Sequence, residues 1–81
     1  MRTIRALAKR SFTLAGHRTS VALEPEFWAA LSAMAQGRRQ TLSSLIADVD
    51  AARDPNRPLA SSLRVLALTG ATSPAQEAAR V

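Results

Sequence analysis

The order of apolar and polar residues divides the chain into a short alternating region and a longer helical one. From Lys9 onward, Ser11 and Thr13 fall on one parity and Phe12 and Leu14 on the other. After Ala15-Gly16-His17 the alternation resumes, with Val21 and Leu23 apolar and Arg18, Ser20 and Ala22 on the opposite parity. A period of two marks a strand with one buried face. Glycine at the first central position of a two-residue loop signals a type II′ hairpin. A Gly16-His17 loop sets Ala15 opposite Arg18, Leu14 opposite Thr19 and Phe12 opposite Val21. This register puts Phe12, Leu14, Val21 and Leu23 on one face and Ser11, Thr13, Arg18, Ser20 and Ala22 on the other. A loop longer or shorter by one residue would scramble both faces.

The pattern then changes period. Pro25 suits a first helical position, and Glu24 and Glu26 sit where the helix dipole favours anions. Phe27, Leu31 and Met34 recur at helical spacing, which predicts a first helix over residues 25–36 with Gly37 as its stop. Phe27, Ala30, Leu31 and Met34 form its inner stripe, and Trp28 lies at the edge of that stripe as a core aromatic. Residues 37–40 connect to a second helix capped by Thr41, with Leu42, Leu45, Ile46 and Val49 on one face. It ends near Arg53, because Asp54 precedes Pro55 and is pushed out of helical geometry. A turn over 54–58 leads to a short third helix over 59–69, with Leu59, Leu63 and Leu66 on one face and Gly70 just beyond its end. No internal repeat stands out. Residues 1–8 read as a mobile basic arm and 70–81 as a flexible tail, which leaves one domain over 9–69, α+β and mostly helical.

Size changes this picture. Eighty-one residues bury little apolar surface, and chains this short recruit disulfides, metals or a second subunit. The chain has no cysteine and one histidine, which removes disulfides, thiolate sites and multi-histidine metal clusters. Oligomerisation remains, and a homodimer is expected.

Charge adds a direction. The formal charge of +5 lies wholly in residues 1–23, which hold Arg2, Arg5, Lys9, Arg10 and Arg18 and no acid, whereas residues 24–81 balance six basic against six acidic residues. An excess on one arm and ribbon points to an anionic partner: nucleic acid, anionic lipid or an acidic protein surface. No apolar run has the length of a membrane span. Residues 1–20 have the composition of an organelle transit peptide, yet strand alternation begins inside them. Absence of cysteine fits a reducing compartment, so a cytoplasmic protein is expected. His17 reads as a turn residue at the hairpin tip, and Asp48 and Asp50 as solvated charges on different sides of the second helix. With no paired carboxylates on a pocket wall, the reading is no enzyme, no cofactor and no metal.

Laid out as strand, helix, helix from Arg18 to Ala52, the chain resembles a ribbon-helix-helix protein. The Lys9-Arg10-Ser11 opening, the Gly16-His17-Arg18-Thr19-Ser20 turn, the Phe27-Trp28 pair and the run from Ser61 to Val65 are similar to a bacterial subfamily of small, mostly uncharacterised ribbon-helix-helix proteins, over about residues 9–69. The resemblance implies two chains that pair strands antiparallel and interlock their helices around a dimer core of Thr19, Val21, Leu23, Phe27, Leu31, Leu42, Leu45, Ile46 and Val49. It implies a ribbon that enters the DNA major groove and reads bases with Arg18, Ser20 and Ala22. Lys9 and Arg10 would reach phosphates, as would the first turn of the second helix through Thr41 and Ser43, with Arg38 and Arg39 adding screened contacts. The implied role is a dimeric transcriptional regulator.

Two features of the residues depart from that pattern. Ala22 stands where a reader would carry a long polar side chain, and it offers thymine at most a methyl contact. If residues 9–14 pair with 18–23, a dimer carries four strands about 14 Å across their axes, against a major groove about 12 Å wide. Then the first strand detaches on binding, DNA is held another way, or the partner is not DNA. The alternative role is a protein-interaction or accessory subunit that keeps the dimeric fold without reading bases.

Overall fold

The computed structural model describes residues 6–71; the segments 1–5 and 72–81, where most of the expected arm and tail fall, lie outside the described residues. The element order is β1 (Ala8–Leu14), β2 (His17–Leu23), α1 (Pro25–Gly37), α2 (Leu42–Ala52) and α3 (Leu59–Ala71). The two strands form one antiparallel hairpin. Beneath it α1 packs against both α2 and α3, while α2 reaches β1 and α3 reaches β2.

The hairpin has the expected faces and a different turn. Its pairs are Leu14↔His17, Thr13↔Arg18, Phe12↔Thr19, Ser11↔Ser20, Arg10↔Val21, Lys9↔Ala22 and Ala8↔Leu23. The loop is therefore Ala15-Gly16, one residue earlier than the sequence predicted, and each partner shifts by two. An even shift preserves parity, so Phe12, Leu14, Val21 and Leu23 still face the helices. Ala15 has φ 51° and Gly16 φ 82°, the pair of positive values that defines a type I′ turn, whose twist matches the flanking strands. His17 opens β2 rather than forming the tip.

Two helix ends also differ. Gly37 stays inside α1, and the left-handed residue after it is Arg39, with φ 57°. The amide of Gln40 donates to the Ala35 carbonyl at 2.9 Å and that of Arg39 to the Gln36 carbonyl at 3.0 Å. These are the two bonds of a Schellman stop, here made without glycine. Gly70, expected beyond α3, lies within it. A Cβ there would meet only the far end of the flexible Met34 side chain, which can swing aside, so packing on α1 does not by itself require glycine at this position. Thr41 caps α2 as expected, its hydroxyl accepting from the Ser44 amide at 3.0 Å.

The core draws on every element. Phe12, Leu14, Val21, Leu23, Trp28, Leu31, Ala35, Leu45, Ile46, Leu59, Leu63 and Ala67 are all buried in a single chain, and none of the described polar residues is buried with them. Leu59, Leu63 and Ala67 of α3 complete this buried set, while Thr19, Phe27, Leu42 and Val49 of the expected dimer core stay half-buried in the single chain. The α1 stripe is also rotated. Trp28, Leu31 and Ala35 are its buried centre, and Phe27 sits half-buried at the rim. The cause is the hairpin above. The Trp28 indole stacks obliquely on Phe12 with centroids 5.9 Å apart and donates its N–H to the Ala8 carbonyl at 2.7 Å, a partner that favours burial of an indole.

Candidate nucleic-acid interface

Strand parity builds one surface. Lys9, Ser11 and Thr13 of β1 lie across from Ala22, Ser20 and Arg18 of β2, and all six point away from the helices because the opposite parity is anchored in the core. Five of the six are exposed; Ala22 is half-buried. The face is organised by its own cross-strand contacts. Ser11 and Ser20 hydroxyls lie 3.1 Å apart, and the Arg18 guanidinium donates to the Thr13 hydroxyl at 3.3 Å. Both are exposed contacts between small groups, and water or a ligand displaces such bonds at little net cost. Two cations among neutral hydroxyls and no acid make a surface suited to polyanions.

The other expected contacts scatter. Arg10 has the inner parity, opposite Val21, and its guanidinium carbon lies 5.2 Å from the Trp28 ring centroid, so a cation–π contact holds it at the sheet margin. Arg38 and Arg39 are exposed in the α1–α2 connection. The Thr41 hydroxyl is engaged by Ser44, Gln40 donates to the Ser44 hydroxyl and to Asp48 at 3.0 and 3.2 Å, and Ser43 is exposed beside them. The structure thus brings Lys9, Arg18, Ser20 and Ala22 onto one face and leaves the α2 start as a separate, capped cluster. Asp48 and Asp50 both have partners, Asp50 accepting from Arg53 at 3.0 Å. Of the residues assigned to a dimer core, Val21, Leu23, Leu31, Leu45 and Ile46 are buried within one chain, and Thr19, Phe27, Leu42 and Val49 are half-buried.

Parity alone identifies Ser11 and Thr13 as part of this face, although neither was assigned a contact. The link between Glu24 and Arg64, 40 residues apart, had no local signal: Arg64 donates to the Glu24 carboxylate at 3.0 Å and lies 5.9 Å over the Phe27 ring. The Glu24 carboxyl is held below the usual carboxylate range, first by its own backbone amide and then by Arg64. This ion pair ties α3 to the junction of β2 and α1 and neutralises the first acid after the basic ribbon.

Among the described residues no group of His, Cys, Asp and Glu side chains is placed to hold a metal ion, and no helix is long and apolar enough to cross a membrane. No curated protein and no solved structure matches the chain. A family model described as a ribbon-helix-helix domain matches residues 7–71, from the residue before β1 to the end of α3. Members of that family are typically DNA-binding regulators and usually form dimers. With the ribbon, the two following helices and this match over most of its length, the chain belongs to the ribbon-helix-helix family.

Proposed function

We propose that the protein is a dimeric DNA-binding regulator that inserts the outer face of its hairpin into the major groove. The observation that carries this reading is the exposed, acid-free face of Lys9, Ser11, Thr13, Arg18 and Ser20 on a two-stranded ribbon. One hairpin, with strand axes about 4.8 Å apart, is narrower than the roughly 12 Å groove, so the ribbon need not shed β1 to enter. Arg18 leaves its long bond to Thr13 and takes a guanine edge, Ser20 a neighbouring base, and Ala22 the methyl of a thymine. Lys9 and Arg10 reach flanking phosphates, with Arg38, Arg39, Ser43 and the Thr41 turn adding backbone contacts.

The test is fluorescence anisotropy on selected DNA fragments across a salt series. Binding weakens steeply with salt because phosphate neutralisation releases counterions. Lys9→Ala lowers the slope by roughly 1 and weakens all sequences alike, whereas Arg18→Ala costs about 1–3 kcal/mol on the preferred site only. No salt-sensitive binding near 50 mM salt refutes the reading. The mutual pairing of the Ser11 and Ser20 hydroxyls and the half-buried Ala22 favour a second reading, an accessory subunit that binds an acidic protein surface. A stoichiometric protein partner retained after nuclease treatment supports that one.

A further inference from the structure

The two strands carry three cationic side chains, Lys9, Arg10 and Arg18, and hold them differently. Lys9 and Arg18 stand on the outer face, Arg18 bonded to the Thr13 hydroxyl. Arg10 has the opposite parity and is nonetheless exposed, with its guanidinium carbon 5.2 Å from the centroid of the Trp28 ring. That ring is itself fixed. It is buried, its N–H donates to the Ala8 carbonyl at 2.7 Å, and the Phe12 centroid lies 5.9 Å away. Arg10 makes no hydrogen bond or ion pair with any described residue.

A guanidinium over an aromatic ring engages the ring through one face of its plane, and its N–H groups remain free to donate along the edge. The chain contains one such arrangement in full. Arg64 lies 5.9 Å over the Phe27 ring while its Nε donates to the Glu24 carboxylate at 3.0 Å. The edge of β1 adds donors beside Arg10. A two-residue turn makes Leu14↔His17 a bonded pair, and alternation then leaves the amides of Lys9 and Ser11, on either side of Arg10, facing the free edge.

We propose that Arg10 and Trp28 form a preset clamp for one backbone phosphate of DNA at the β1 edge, with Trp28 as its positioning residue. The proposal deepens the DNA-binding reading and rests on it. A ribbon inserted with its outer face toward the bases turns its strand edges to the phosphates that line the groove. The stacked guanidinium then donates two parallel N–H bonds to the phosphate oxygens, a geometry that a lysine ammonium does not supply. Because the ring restrains the side chain before DNA arrives, less rotamer freedom is lost on binding. The clamp sets the register of the ribbon along the groove and carries no base preference.

Fluorescence anisotropy on the full chain, with the preferred duplex and an unrelated one across a salt series, tests this. Arg10→Lys keeps the charge, so the salt slope stays at the wild-type value while both duplexes bind about fivefold or more weakly. Arg10→Ala weakens both and also lowers the slope by roughly 1. Trp28→Phe weakens both duplexes alike when Arg10 is present, and by less than about twofold once Arg10 is lysine. Arg10→Lys binding as tightly as the wild type overturns the proposal. So does Trp28→Phe weakening both backgrounds equally, the mark of an indole that acts through the fold alone. Circular dichroism checks that each variant is folded at the working temperature. Should Trp28→Phe fail that check, Arg10→Lys at its exposed position still separates a clamp from a point charge. A wild type without salt-sensitive binding refutes the DNA reading and the clamp together, whereas failure of the clamp with that binding intact leaves the DNA reading standing.

Discussion

The hairpin turn offers the sharpest test of the structure, because the two candidate loops make opposite demands on one residue. With Ala15-Gly16 as the loop, Ala15 holds φ 51°, a left-handed geometry that costs a residue with a Cβ roughly 1–2 kcal/mol. Asparagine tolerates this region through local hydrogen bonding, and Asn-Gly is the favoured type I′ pair. Ala15→Asn should therefore recover about half of that cost and stabilise the protein by ~0.5–1 kcal/mol, a rise in Tm of roughly 2–8 °C for a domain of this size. Gly16→Ala should do the reverse. A Cβ at Gly16 meets no atom within 4 Å, so its entire cost, about 1–2 kcal/mol, is backbone strain at φ 82°. Trp28, the single tryptophan and 2 % exposed, reports unfolding in a urea titration. Were the loop Gly16-His17, Ala15 would be an extended strand residue and asparagine there would destabilise. A lowered midpoint for Ala15→Asn, or an unchanged one for Gly16→Ala, refutes the type I′ assignment.

Other perturbations probe the remaining joints of the fold. Leu63→Ala, at a fully buried position of α3, should cost about 2–5 kcal/mol in denaturant midpoint; a loss under about 1 kcal/mol would mean that α3 does not close the core. Trp28→Phe removes the bond to the Ala8 carbonyl and the contact with Arg10. It should cost about 1–3 kcal/mol, with hydrogen exchange at the start of β1 accelerating more than in α2. Thr41→Ala should cost about 0.5–2 kcal/mol, because the Ser44 amide loses its acceptor. The lowered pKa of Glu24 makes the charged carboxylate a stabilising group above its unfolded-state pKa, a contribution lost as pH falls through its lower folded-state value. Glu24→Gln should flatten the acid limb of stability against pH below about 5. NMR titration should find the Glu24 pKa raised in Arg64→Ala, and an unmoved value would show that Arg64 does not hold it down.

Much of this architecture is local and therefore readable along the chain. Strand parity depends only on alternation, so the inward set of Phe12, Leu14, Val21 and Leu23 and the outward set of Ser11, Thr13, Arg18 and Ser20 survive even a shifted turn. The Thr41 cap and the end of α2 before Pro55 likewise follow from chemistry within a few residues. Charge placement is a property of residue order, which is why the basic, acid-free character of the ribbon is visible before any fold.

Only the packed chain decided the rest. Whether Gly37 or Arg39 takes the left-handed position depends on which carbonyls remain unpaired at the end of α1. Trp28 rather than Phe27 fills the centre because the hairpin above supplies a ring and a carbonyl to the indole. The ion pair between Glu24 and Arg64 spans 40 residues, and the completion of the buried set by α3 adds an element outside the strand-helix-helix pattern. Alternation and capping act over a few bonds, whereas burial is settled by which distant surfaces meet, and that geometry exists only once all five elements are in place.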